Sequence, residues 1–271
     1  MEQYNFLAGI RKFGATVEEI CLNTLGIRAD EINENTIISP GWSPDRLFPA
    51  GEIAELTQAS PLFQYRIWNI LHEGLEMTYV RTGFGAPMVM DALLLLGMTD
   101  RCKRIIFVSS VGGLTSEIGI GDILLPEYSA CGDGASRYLS NDLHDPFGEK
   151  QYPESGLFRR LTEVTRNVCT ENNIRWHPGK TFCTDTIAAQ YGHLAKIIEM
   201  GYNSVDMESA AAFKAANLLQ IPVAAILNVS DNSTAKNKSL MTERSETDKS
   251  YRKFVAREIM PQIITETLRC S

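Results

Sequence analysis

Along the 271-residue chain, apolar residues fall into two alternating patterns. Short continuous apolar runs stopped by glycine, proline or aspartate read as strands, and longer stretches with apolar residues every three or four positions read as helices. Strands are expected at 35–41, 77–83, 103–113, 121–127, 179–185 and 221–231, and helices at 86–97, 156–172, 190–200, 208–219 and 248–269. The run "KRIIFVSSVGG" (103–113) is apolar until it meets a glycine pair, the pattern of a central strand buried on both faces. This alternation predicts an α/β fold in which helices cover a mostly parallel sheet. No repeat, low-complexity tract or linker interrupts it, so residues 1–271 are expected to form a single domain. In such sheets ligands bind outside the carboxyl ends of the strands. That rim collects Gly41, Gly83, Ser110, Asp185 and Asp231, each of which alone is an ordinary turn residue.

Composition narrows the possible partners. Hydrophobic residues make up 44% and charged residues 22%, enough for a large core. A net charge of -7 and a pI near 5.2 argue against nucleic acid or an anionic membrane as partner, yet leave room for a local basic pocket. The six cysteines form no CxxC pair and the four histidines no HExxH, so no metal site is expected. The longest apolar run, "APMVMDALLLLGM", is too short for a bilayer and carries Asp91. The start lacks a signal-peptide pattern, so a cytoplasmic protein with reduced thiols is expected.

Candidate chemistry concentrates in "SVDMESAAAFKAANLLQIPVAAILNVSDNS", residues 204–233. This reads as a core helix followed by a buried strand, yet Asp206, Glu208 and Asp231 stand at their ends. Carboxylates in such places need partners.

Taken together, several segments resemble the nucleoside phosphorylase-I family, which cleaves N-glycosidic bonds of nucleosides. "IISPGWSPDRL" is similar to its early phosphate loop, and "RTGFGAP" and "IIFVSSVGGL" to its glycine-containing strand ends. "CGDGAS" is similar to a loop of the uridine and bacterial purine branches, "SVDMESAAAF" to the ribose-binding Met-Glu motif, and "NVSDNS" to the purine-branch Ser-Asp. The resemblance implies a three-layer α/β/α fold, no metal or organic cofactor, and inorganic phosphate as co-substrate. It implies that Glu208 accepts from the vicinal ribose hydroxyls over Met207, with Asp206 standing where the family commonly has Glu. Asp231 would protonate the purine base, aided by Arg244 in "TERSET". Gly41, Arg46 and Ser110 would hold phosphate, and Val111, Gly112 and Ile187 would line the base. Arg66 in "FQYRIWN" matches an arginine lent to the adjacent subunit's site, which implies a dimer-based homo-oligomer, a hexamer by family expectation.

The largest departure from the pattern is at residue 107. The strand that the family writes Ile-Ile-Arg-Val-Gly-Ser reads "IIFVSS" here, so Phe107 replaces the phosphate-clamping arginine. Purine phosphorolysis is the preferred expectation, and Phe107→Arg is then expected to tighten phosphate. The alternative is hydrolysis by a purine nucleosidase, including one like AMP nucleosidase. Uridine phosphorolysis is disfavoured because Gln190 lacks a matching arginine. A non-catalytic nucleoside-binding or storage protein would not require Glu208, Asp231 and Arg244 together.

Overall fold

A computed structural model describes residues 6–57 and 62–269. The strands are β1 (Asn35–Ser39), β2 (Glu52–Glu55), β3 (Arg66–His72), β4 (Leu75–Arg81), β5 (Arg104–Gly113), β6 (Ile123–Ala130), β7 (Lys150–Gln151), β8 (Trp176–Cys183), β9 (Ser204–Asp206) and β10 (Val223–Asn232). They form one sheet in the order β10-β6-β8-β9-β5-β1-β4-β3-β2, with β7 paired to β6. Because β10 also pairs with β5, the strands β5, β10, β6, β8 and β9 close into a ring. Helices lie on both sides of the sheet, as expected from the alternation of elements.

The pairing is more mixed than the sequence pattern suggests. β1 runs parallel to β4 and β5, as do β10 to β5 and β8 to both β6 and β9. The pairs β2–β3, β3–β4, β5–β9, β6–β7 and β6–β10 are antiparallel. The β3–β4 hairpin turns on Glu73 and Gly74, both at positive φ (48° and 78°), the geometry of a primed two-residue turn.

β5 and β10 are the apolar centre of the sheet and pair residue by residue from Val223↔Ile105 onward. On one face lie the helices Ala86–Gly97 and Ser209–Leu219. The second is alanine-rich on its buried side, which lets it approach the first closely. At their crossing, a Cβ on Gly97 would stand 2.6 Å from a Leu219 methyl, so a larger residue there would displace the Leu219 side chain. The opposite face is covered by Ser155–Glu171 and Met260–Arg269. Glu154 caps the former by accepting from the N–H groups of Gly156 (2.8 Å) and Leu157 (2.7 Å).

Most boundaries shift by a few residues, and three elements change more. The helix expected at 248–269 is interrupted by a π-helical turn at Val255–Ile259, and that expected at 190–200 divides into Ile187–Gln190 and Leu194–Glu199. The strand expected at 179–185 begins earlier, at Trp176, and runs through Pro178.

Candidate active site

The carboxyl ends of β1, β5, β9 and β10 converge on a cavity of about 330 Å³. Eleven of the twelve site residues expected from the sequence line it: Gly41, Arg46, Ser110, Val111, Gly112, Ile187, Asp206, Met207, Glu208, Asp231 and Arg244. Gly83 and Asp185 of the expected rim do not. Asp185 accepts from Gly134 N–H (2.9 Å) and lines a neighbouring cavity.

Asp231 owes its position to an irregularity in the central ladder. β10 and β5 pair Val229 with Val111 and then Asp231 with Gly112, so Ser230 is an extra residue. Such a bulge bends the strand and re-aims the side chains beside it. Asp231 is 5% exposed, and its Oδ1 lies 2.5 Å from Ser230 Oγ, with Ser233 Oγ 3.4 Å from Oδ2. Ser230 Oγ also lies 3.3 Å from the Val111 carbonyl. Its single proton can serve the carboxylate or the carbonyl, not both. The pair can therefore accommodate either charge state of Asp231: the serine donates to an ionised Asp231, or accepts from a protonated one while donating to Val111. Gly112 keeps the floor open, because a Cβ there would stand 3.1 Å from Val205 and 3.5 Å from Asp231.

Glu208 immediately precedes helix Ser209–Leu219 and is 3% exposed. Its Oε1 accepts from Gly85 N–H at 2.8 Å. Burial raises its pKa above the ordinary glutamate value, and the neighbouring Asp206 raises it further. Asp206, which also lines the cavity, has both carboxylate oxygens engaged by protein donors. Its Oδ1 accepts from the Cys183 thiol (2.8 Å) and its Oδ2 from Ser209 N–H (3.0 Å), so it ties β9 to β8 and to the helix start.

Gly85 and Gly83, at φ 101° and 90°, bracket Phe84 and hold it out over the cavity, 70% exposed. The ring covers Gly41, where a Cβ would be 2.6 Å from Phe84 Cε1. Phe84 was not read from the sequence as a site residue, although it sits inside "GFG". It supplies an aromatic face that Ile187 and Ala188 cannot.

The cationic side of the cavity holds three arginines. Arg46 lies over the Trp42 ring, 4.1 Å from its centroid. Arg244 precedes Ser245, which caps helix Glu246–Phe254, and its buried Nε has no hydrogen-bond partner. Arg252, on that helix, donates from Nη2 to Ser110 Oγ (2.7 Å) and from Nε to Asn228 Oδ1 (3.0 Å). Burial first, then Arg46 and Arg244, lower its pKa to about 10. None of the three forms an ion pair with a carboxylate among the described residues. Three guanidinium groups beside one cavity, none held by a carboxylate ion pair, can receive an anion.

Two expectations look different in three dimensions. Arg66 does not line the cavity of its own chain. It binds Glu55 through both carboxylate oxygens (2.7 Å from Nε to Oε1 and 2.6 Å from Nη2 to Oε2), so any role at a neighbour's site requires exchanging that partner. Phe107 is 0% exposed and packs in the core between β1 and β10, opposite Ile38 and Ala225. It gives no surface to the cavity, and an arginine there would enter the core rather than reach a ligand directly. Among the described residues no group of three or more histidines, cysteines or acids could hold a metal, and no helix is long and apolar enough to cross a membrane.

The central strand ends thus gather an acid on the bulge, a buried glutamate and three arginines around one cavity. Residues 44–260 match the model of the phosphorylase superfamily, and the chain belongs to that family. It is 23% identical over 164 residues to a DeoD-type purine nucleoside phosphorylase of Streptococcus pneumoniae serotype 19F (strain G54), covering 59% of this chain and 65% of that protein. The match to a DeoD-type enzyme of Streptococcus pyogenes serotype M4 is 20% over 177 residues, covering 65% of this chain and 71% of that one. In fold the chain is similar to uridine phosphorylase from Vibrio fischeri ES114 (TM-score 0.72, 19% identity, 92% and 97% of the two chains). It is also similar to AMP nucleosidase from Bacteroides thetaiotaomicron (TM-score 0.65, 17% identity, 94% and 98%). Nucleoside phosphorylases of this superfamily act with phosphate as co-substrate and need no cofactor.

Proposed function

We propose that the chain is a purine nucleoside phosphorylase that cleaves the N-glycosidic bond of a (deoxy)ribonucleoside with phosphate, giving free base and pentose 1-phosphate. The observation that carries this reading is the bulge at Ser230, which presents Asp231 to the same cavity as Glu208. As the bond breaks, negative charge builds on the base and positive charge on the sugar. Protonated Asp231 delivers its proton to N7 of the purine, and the Ser230 hydroxyl turns from Val111 to the new carboxylate. Arg244 stands beside this exchange. Glu208, clamped by Gly85, orients the sugar through its vicinal hydroxyls, while Met207 packs beneath the ring. Once the substrate's hydroxyls donate to Glu208, they favour its ionised form. Phosphate approaches from the arginine side, at Gly41, Arg46 and Ser110. We extend the reading to a single domain over residues 1–271 and to a homo-oligomer in which Arg66 serves a neighbour.

The second reading is hydrolysis. It is favoured by Phe107, which fills with a ring the position where the phosphate-clamping arginine is expected. Base release from a panel of purine nucleosides, measured over a range of phosphate concentrations, separates the two. Phosphorolysis gives a saturable dependence and pentose 1-phosphate. A rate that ignores phosphate and yields free pentose refutes it.

A further inference from the structure

Resting on the phosphorolysis reading, we propose that Arg252, from the helix near the C-terminus, is the phosphate-clamping arginine of this site and takes over the role that Phe107 leaves vacant.

The geometry assembles this clamp from a different part of the chain. Ser110 Oγ receives two donors, Arg252 Nη2 at 2.7 Å and Trp42 Nε1 at 3.2 Å. A hydroxyl has two acceptor lone pairs and one proton. With both lone pairs occupied, the Ser110 proton is left to donate outward, and the best recipient in an arginine-lined cavity is an anion oxygen. Arg252 is itself fixed from behind: Nε donates to Asn228 Oδ1, and Asn228 Nδ2 donates to the Gly121 carbonyl at 3.0 Å. Asn228 is fully buried on β10, so the anchor belongs to the rigid centre of the sheet. Only Nε and Nη2 are engaged, and Nη1 has no protein partner among the described residues. The guanidinium therefore presents unused donors beside the Ser110 proton, and Arg46, stacked on Trp42, faces the same space. An arginine held in place by protein acceptors, yet given no carboxylate, is a preorganised receptor for a tetrahedral oxyanion.

The sequence contains a matching exchange. β5 carries phenylalanine at 107 beside Ser110, and the residues on which the clamp depends, Trp42 and Asn228, lie in the loop after β1 and on β10 respectively. The clamp thus comes from a helix that begins at Glu246, fifteen residues past Asp231, rather than from the strand carrying Ser110.

The test compares wild type with Arg252→Met, which keeps side-chain length and removes the charge, and Arg252→Lys, which keeps a cation without the fork. Two readouts are taken at constant ionic strength: the phosphate KM for base release, and the rise in Tm on adding inorganic phosphate. Arg252→Met is expected to raise the phosphate KM by roughly ten- to a hundredfold and abolish the phosphate-dependent Tm rise. Arg252→Lys falls between, and the nucleoside KM at saturating phosphate stays within about twofold of wild type, because uniform binding of the sugar is untouched. An unchanged phosphate KM and an undiminished Tm rise overturn the assignment of Arg252 and leave phosphorolysis standing. If wild-type base release ignores phosphate, yet phosphate raises Tm in wild type and not in Arg252→Met, phosphorolysis falls and the Arg252 anion site stands. Should Arg252→Met fail to fold, Arg252→Lys decides: a phosphate KM equal to that of wild type refutes the proposal.

Discussion

Ser230 Oγ and Asp231 Oδ1 lie 2.5 Å apart at the one place where β10 slips against β5. The extra residue creates both the angle of the acid and the hydroxyl that answers its change of charge. If Asp231 is the proton donor, Asp231→Asn keeps the shape and removes the proton, so kcat is expected to fall by about 10²–10⁴-fold with little change in nucleoside KM. Ser230→Ala removes one supporting hydrogen bond and is expected to lower kcat about tenfold. In the Asp231→Asn background, Ser230→Ala is expected to add almost nothing, because the two act as a unit. Steady-state rates of the two single variants and the double variant test this, and additive losses refute it.

Glu208 gives a prediction about stability and pH. Its carboxyl is buried near Asp206, and its folded pKa is raised above the ordinary 4.5. A raised carboxyl pKa means that the native state binds the proton more tightly than the unfolded chain. Native stability from this group is therefore greatest at low pH and declines as pH rises above 4.5 through the folded pKa. Glu208→Gln removes that decline. The unliganded variant is expected to be more stable than wild type at alkaline pH, by Tm, while its nucleoside KM rises roughly ten- to a hundredfold. A stability profile parallel to wild type at all pH values refutes the argument.

The part of the site made at strand ends was legible from the sequence because its signals are local. Gly41 after Pro40, Gly112 at the end of an apolar run and Asp231 closing another all announce a strand meeting a cavity. The antiparallel strands β2 and β3 were missed: β2 is mostly exposed, and β3 mixes charged and apolar positions, so neither shows a continuous apolar run. Arg252 was hidden for a related reason. With Lys249, Lys253 and Arg257 around it, it reads as one more charge on a solvated helix. Only the fold shows that this residue turns toward Ser110. For Asp206 the motif points to a sugar, and the fold adds what the motif does not show: its two oxygens accept from Cys183 and Ser209.

Arg66 permits a test of assembly that needs no structure of the oligomer. Arg66→Ala and Glu208→Ala homomers are each expected to be impaired, the first in the site it lends to and the second in its own. Mixed and reassembled as dimers with reciprocal sites, half the pairs are heteromeric, and each of these has one intact site, so about a quarter of wild-type activity returns. A fully active Arg66→Ala protein, or no recovery on mixing subunits shown to exchange, excludes the role in trans.

The last prediction reverses one that follows from the motif alone. Against the family strand, Phe107→Arg is a restoration and is expected to tighten phosphate. In the fold, Phe107 has no exposed surface and sits against β1 and β10 within the core. The wider clamp is already occupied by Arg252. An arginine at 107 would bring a charge into apolar packing with no carboxylate on either neighbouring strand at Ile38 or Ala225. An uncompensated buried charge costs about 3–5 kcal/mol, a large fraction of the stability of an ordinary domain. Phe107→Arg is therefore expected to lower Tm sharply and to yield little soluble protein. Phe107→Leu, which leaves a smaller void, is expected to cost about 1–3 kcal/mol and to leave the phosphate KM nearly unchanged. A soluble Phe107→Arg protein of wild-type Tm with a lower phosphate KM would show that the ring position communicates with the anion site after all.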